Sequence, residues 1–184
     1  MTPRQTSLPS LGVQLGIALL LWLAARAGVQ ATFAQVRHPV SLNAANAEPR
    51  VDVVRGWYRQ LMAQDTYLWM IRTALVDLLF GLTLGVLITY LVRLLGGLLR
   101  GVHRSSSNLL YRWAPVFALP AVLDLAENCF SLAMLTDPFA FPDWWTQAHA
   151  ALATAKHVTA IASPAVGFSI VGLAFVLRAR AAKG

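Results

Sequence analysis

Four apolar blocks, each long enough to cross a bilayer, constrain this chain more than any other feature. A transmembrane helix needs about 20 consecutive, predominantly apolar residues. The sequence supplies such runs at about 11–33, 67–92, 113–135 and 150–177. Hydrocarbon offers the backbone no hydrogen-bond partner, so runs of this length must satisfy their own N–H and C=O groups as helices. Composition agrees, because 57% of the 184 residues are hydrophobic and only 12% charged, against roughly one-quarter charged in an average soluble domain. The expected fold is all-α: one integral membrane domain over residues 1–184, built as a four-transmembrane-helix antiparallel bundle. Mostly short connections favour antiparallel neighbours.

The first block, Leu11 to Phe33, follows Pro9 and Ser10 as a start signal and carries Arg26. Its beginning also has the layout of a signal peptide: Arg4, then apolar Ile17 to Ala25, then Ala25-Arg26-Ala27 as a cleavage site. The apolar run continues past that site, which favours a retained helix. Residues 34–65 are the only long polar stretch, with Pro39, Asn43, Asn46, Glu48 and Pro49 marking an irregular loop. At its end Val54, Trp57, Tyr58, Leu61 and Met62 recur at helical spacing while Arg55, Arg59 and Gln60 take other positions. This short amphipathic helix lies either in the membrane interface or over the mouth of the bundle. Asp137, Pro138, Pro142 and Asp143 break the chain between the last two spans.

Basic residues near the helix ends set orientation. A cytoplasmic N-terminus collects Arg4, Arg93, Arg100, Arg104, Arg112, Arg178, Arg180 and Lys183 on the inside, whereas the 136–149 loop has no Lys or Arg. Both termini are then cytoplasmic, with a bacterial inner membrane as the natural host. The first outer loop holds Arg37, Arg50, Arg55 and Arg59, offset in part by Glu48, Asp52 and Asp65. Trp and Tyr cluster at both expected interfaces. The formal charge of +7 follows from these flanks. No basic stretch is interleaved with aromatics as a nucleic-acid surface requires, so nucleic acid is not an expected partner.

Ionisable groups inside the spans are the costly feature, at roughly 2.5–3.5 kcal/mol each at a helix centre on insertion scales. The candidate cluster is Arg26, Thr73, Asp77, Asp124, Glu127, Asn128 and Lys156. Counted from the outer ends, Asp77 and Asp124 lie near the midplane, and Glu127, Arg26 and Lys156 form a layer about one turn nearer the surface at about 1.5 Å per residue. Thr73, Asp77, Gly81, Gly85 and Thr89 repeat every four residues as a seam of small and polar groups that lets a neighbour approach closely. Pro120, Asp124, Glu127, Asn128 and Ser131 share a face of the third span, and Lys156, Thr159, Ser163 and Gly167 share one of the fourth.

Two readings of the cluster stand side by side. In one it is a buried ion-pair network that fixes helix register, with Arg26 and Lys156 neutralising two of three acids. In the other it is a ligand or proton site opening outward, the third carboxyl being left over. His149 and His157 are eight residues apart, about two turns, which does not make a haem pair. No metal or cofactor is implied. The SxxK and GxSxG patterns of covalent hydrolases are missing, so catalytic residues are unknown, and Cys129 stands alone in an apolar segment with no partner for a disulfide.

The run Leu119-Pro120-Ala121-Val122-Leu123-Asp124-Leu125-Ala126-Glu127-Asn128, with Ala155-Lys156 and Ala162-Ser163 in the next helix, resembles an uncharacterised group of bacterial four-helix membrane proteins with an LPxxxDLxEN motif. The resemblance covers about residues 65–175. It implies the same fold and a shared importance of Asp77, Asp124, Glu127, Asn128 and Lys156, without implying a reaction.

Three functions are compatible with these features. A non-enzymatic accessory or assembly subunit of a larger membrane complex accounts for the small soluble portion and the close-packing seams, its partners being the lipid bilayer and other membrane subunits. A small transporter or lipid-binding carrier would use the charged cluster for its ligand. An intramembrane enzyme on a lipid or isoprenoid substrate would use Asp124 or Glu127 as general acid or base.

Overall fold

The computed structural model describes residues 8–181, and these are all-α. Arg4 and Lys183, which enter the charge count above, lie outside the described residues. Four helical stretches are long and apolar enough to cross a membrane: Pro9–Val36, Tyr67–Leu99, Arg104–Thr136 and Trp144–Arg180. The elements are α1 (Leu8–Val36), α2 (Leu42–Asn46), α3 (Val51–Ala63), α4 (Tyr67–Leu99), α5 (Arg104–Phe117), α6 (Leu119–Thr136) and α7 (Trp144–Ala181). The long helices outrun their apolar blocks. The 33 residues of α4 extend about 50 Å at 1.5 Å per residue, well beyond the ~30 Å hydrocarbon core.

The third span is divided where the sequence suggests one helix over 113–135. Ala118 ends α5 and opens α6 with φ −84° and ψ −3°. Pro120 then sits in the first turn of α6, where its missing N–H leaves no intrahelical bond unmade. Pro115 precedes the break from inside α5. The fourth helix starts earlier than expected, at Trp144 rather than Ala150, and runs unbroken through Pro164.

α4, the α5–α6 pair and α7 form the centre of the bundle, with α6 packed against both α4 and α7. The small-residue seam of α4 is used inside the chain. A Cβ on Gly85 would stand 3.4 Å from the Ala121 Cβ, and one on Gly81 would stand 2.5 Å from Asp124 Oδ2. α1 packs along α4 through Leu11, Ala18, Val29 and Val36, which are buried. Gly28 lets it approach so closely that a Cβ there would lie 3.0 Å from Val76. The opposite side of α1, including Val13, Ile17 and Leu20, is exposed.

α2 and α3 close one end of the bundle. Ser41 accepts a hydrogen bond from the Ala44 N–H as the N-cap of α2. The apolar face of α3 turns into the protein: Val54, Tyr58 and Leu61 are buried with Val36, Met70, Ala74, Met134, Leu135 and Phe141. Burial is worth roughly 1.5–3 kcal/mol for each such aliphatic side chain, so the helix of the first loop is seated on the bundle mouth. Polar ties hold this cap. Arg55 meets Asp143 at 2.9 Å and donates to the Phe141 carbonyl at 2.7 Å. Thr146 donates to the Pro49 carbonyl, and Tyr67 to the Leu135 carbonyl near the end of α6. The other end is basic, and there Ser107 donates to the Gly96 carbonyl and Arg178 to the Gly101 carbonyl.

Candidate functional site: an intramembrane charged cluster

Asp124 and Glu127 are one turn apart on α6 and so share a face. Lys156 of α7 reaches both. Its Nζ lies 2.9 Å from Asp124 Oδ1 and 2.5 Å from Glu127 Oε2; the first is a hydrogen bond and the second a close ion contact outside hydrogen-bonding angles. The two layers inferred from depth counting therefore merge into one. The early start of α7 explains this, because Lys156 is twelve residues from Trp144 and Asp124 twelve from Thr136, each about 18 Å along its helix.

The other Glu127 oxygen faces the cap. Asn46, the last residue of α2, donates its amide to Glu127 Oε1 at 2.5 Å, tying a loop to the centre of a span 81 residues away. The Glu127 side chain is fully buried and Asp124 is 1% exposed. His149, one turn of α7 inside Trp145, places Nε2 4.0 Å from Glu127 Oε1 and 2.7 Å from Ser131 Oγ. A cavity of about 20 Å3, enough for one water, lies between cluster and cap. Its polar lining comes from His38, Asn46, Glu48, Ser131, Thr146 and His149.

Asp77 of α4 is buried ten residues from Tyr67, no deeper than Asp124, within electrostatic range of Asp124 and Lys156 and beside Asn128. Two atoms in this corner lack a hydrogen-bond partner. Asp124 Oδ2 lies against Gly81 with no donor, and the buried Asn128 Nδ2 is within reach of the Asp77 carboxylate but meets it outside hydrogen-bonding angles.

The cluster inferred from sequence is thus brought together in part. Asp77, Asp124, Glu127, Asn128 and Lys156 converge. Thr73 is buried on the same face of α4 but spends its hydroxyl on the Trp69 carbonyl, inside its own helix. Arg26 is not in the cluster: it is exposed and stands over the Trp22 ring at 5.7 Å. Its depth is right, ten residues from Val36, but α1 packs mainly along α4, and Arg26 makes no ion pair with the acids among the described residues. Below Lys156 the polar stripe of α7 also diverges. Thr159 and Ser163 line an apolar groove of about 490 Å3 with Trp113 and Phe117 of α5.

The fold also recruits Ser131, placed by the sequence on the polar face of the third span but not in the cluster, and two residues that sequence reasoning left out of it, His149 and Asn46. Ser131 is one turn from Glu127, and His149 is two turns from Lys156 on one face, so the same spacing argument could have found His149. Asn46 carries no such signal, since nothing in a polar loop marks which amide will enter the bundle. No known family, curated protein or solved structure matches the chain. Among the described residues no group of three or more His, Cys, Asp or Glu is arranged to hold a metal ion.

Proposed function

We propose that the chain is a non-enzymatic accessory or assembly subunit of a larger membrane complex, in which the charged cluster holds the fold together. One observation carries this reading: the two oxygens of the fully buried Glu127 are engaged by Asn46 of the cap and Lys156 of α7. Glu127 is thereby spent on fastening the cap to the spans. Buried polarity of this kind can fix helix register. The long exposed apolar faces of α1, α4 and α7 supply area for lipid and neighbouring subunits alike. The basic end, with Arg93, Arg100, Arg104, Arg112 and Arg178, supports a cytoplasmic location for that end in a bacterial inner membrane.

Extraction of native membrane into polymer-bounded discs, followed by native mass spectrometry, tests the proposal. A defined assembly of constant stoichiometry containing this chain is expected, with less of it recovered after Glu127→Gln. A chain recovered alone from every preparation overturns the reading. A second reading, a small lipid-binding carrier, is favoured by a groove of about 370 Å3 between α4 and α6, lined by Gly81, Gly85, Thr89, Tyr90 and Arg93. A lipid species retained at fixed ratio by the isolated chain, and lost on filling the groove with Gly85→Leu, would establish that alternative.

A further inference from the structure

One intramembrane charge stands apart from the cluster. Arg26 is the single charged residue of α1, and it is exposed on the outside of the bundle. Among the described residues no acid is within ion-pair reach of it. Its guanidinium stands 5.7 Å from the centre of the Trp22 ring, and Trp22 is the middle residue of α1 (Leu8–Val36). Contacts across to α4 give the same depth. Gly28 faces Val76, and the Trp22 ring lies 5.9 Å from that of Phe80, which sets Arg26 level with the turn of α4 that carries Asp77. An exposed cation there meets hydrocarbon, where a charge without a partner is expensive.

Two sources of a counter-charge fit this geometry badly. A long basic side chain reaches a lipid phosphate by snorkelling to the nearer surface. The nearer end of α1, Val36, is ten residues away, about 15 Å, and the Arg26 side chain leans the other way, toward the N-terminus and the bilayer centre, as helical side chains do. A second copy of the chain paired through this face about an axis along the membrane normal would set Arg26 against its own equivalent, like charge against like. What remains is a carboxylate carried into the membrane by another protein. The rest of the face suits a helix as its carrier. Gly12, Gly16, Leu19, Leu23, Arg26 and Gln30 are all exposed and fall within about 80° of the helix circumference at about 100° per residue. Gly12 and Gly16 are spaced as GxxxG, and a Cβ on either would meet nothing within 4 Å, so their room for close backbone approach is not used inside the chain. Gln30 adds an amide one turn from Arg26.

We propose that the exposed face of α1 is the docking surface for a transmembrane helix of another membrane protein, one that carries an Asp or Glu at the depth of Arg26. The inference rests on the accessory-subunit reading and names the chemistry of the partner. The partner carboxylate accepts two guanidinium N–H groups side by side, which neutralises both charges within the hydrocarbon, and the two glycines let the helix backbones close on each other below the pair.

The test uses the full chain in its native membrane, extracted into polymer-bounded discs. Recovery of the assembly is expected to fall severalfold in Arg26→Leu and to be retained in Arg26→Lys, while the thermal midpoint of the isolated chain changes in neither. A photoreactive benzoylphenylalanine placed at Leu23 should cross-link to a membrane-spanning segment of the partner that has an Asp or Glu within one helical turn of the cross-linked residue. Replacing that acid by its amide should reproduce the loss, and exchanging the two charges, with Arg26→Glu here and Arg in place of the acid, should restore the assembly. An assembly undiminished by Arg26→Leu overturns the inference, as does a cross-link to lipid alone, to a second copy of this chain or to a segment without an acid. A chain recovered alone from every preparation overturns the subunit reading and this inference with it, whereas an assembly indifferent to Arg26 overturns this inference alone.

Discussion

Lys156→Met should be the most damaging single change in the bundle. Among the described residues Nζ is the only Lys or Arg group touching Asp124 and Glu127, at 2.9 and 2.5 Å, and the two acids are 1% and 0% exposed. Removing one member of a buried pair typically costs about 3–5 kcal/mol, because the charge left behind keeps its desolvation penalty. The 17% exposure of the Lys156 side chain argues for the lower half of that range. Glu127→Gln should cost less, about 1.5–3 kcal/mol, the range for a hydrogen bond to a charged group, since Lys156 retains Asp124. In the double variant only Asp124 is left without its cation, so the combined loss should fall short of the sum by about 1–3 kcal/mol, as for residues in contact. Reversible unfolding in mixed micelles, followed by tryptophan fluorescence, supplies the four stabilities of the cycle. Strict additivity would refute direct contact and with it the assignment of Lys156 as the cation of the cluster.

Arg26→Leu should leave stability unchanged or raise it, because Arg26 has no acidic partner among the described residues; the same unfolding assay would contradict its exclusion from the cluster if the loss matched that of Lys156→Met. Gly81→Ala should destabilise by about 1–3 kcal/mol through overpacking, its Cβ falling 2.5 Å from Asp124 Oδ2, whereas Gly12→Ala, with nothing within 4 Å, should be neutral or stabilising; equal effects on thermal midpoints would argue against the α4–α6 approach. Burial holds the His38 imidazole below the usual histidine value of 6.5. The undocked cap therefore takes up the proton more readily, and the His38 contribution to cap stability is full above 6.5 and declines as pH falls through the lowered value. Trp57, whose ring is 4.9 Å from that of His38, should report this as a fluorescence change with a midpoint below 6.5 that disappears in His38→Gln; a midpoint above 6.5 would reverse the sign. Reporter fusions after Gly184 and within 138–143 should read cytoplasmic and external respectively, and the opposite pattern would invert the topology.

Much of this architecture is legible in the sequence because a bilayer makes strict demands on length and polarity. Blocks of 20 or more apolar residues have one stable backbone conformation there, so the existence and number of the spans follow from the chain itself. So does the approximate depth of every charge, since the rise per residue is constant. Facing within a helix is equally local: Asp124, Glu127 and Asn128 had to emerge on one side of α6, and Thr73, Asp77 and Gly81 on one side of α4.

Which face meets which helix is a different matter, decided by packing between segments far apart in sequence. Arg26 and Lys156 look equivalent in a depth count, yet α1 lies along α4 while α7 lies along α6, so only Lys156 reaches the acids. The apolar face of α3 fits lipid or protein equally well until Val54, Tyr58 and Leu61 are seen against Met70, Met134 and Phe141. The division at Ala118 needed the geometry of α5 and α6, because Pro120 is compatible with either a kink or a fresh first turn. Asn46 was beyond local inference altogether: its bond to Glu127 spans 81 residues and exists because α2 folds over the bundle mouth. Sequence alone determined the spans, their polar stripes and the presence of costly charge in the membrane; tertiary structure decided the partners of those charges, since helix periodicity orders side chains along one axis and carries no information about the neighbouring one.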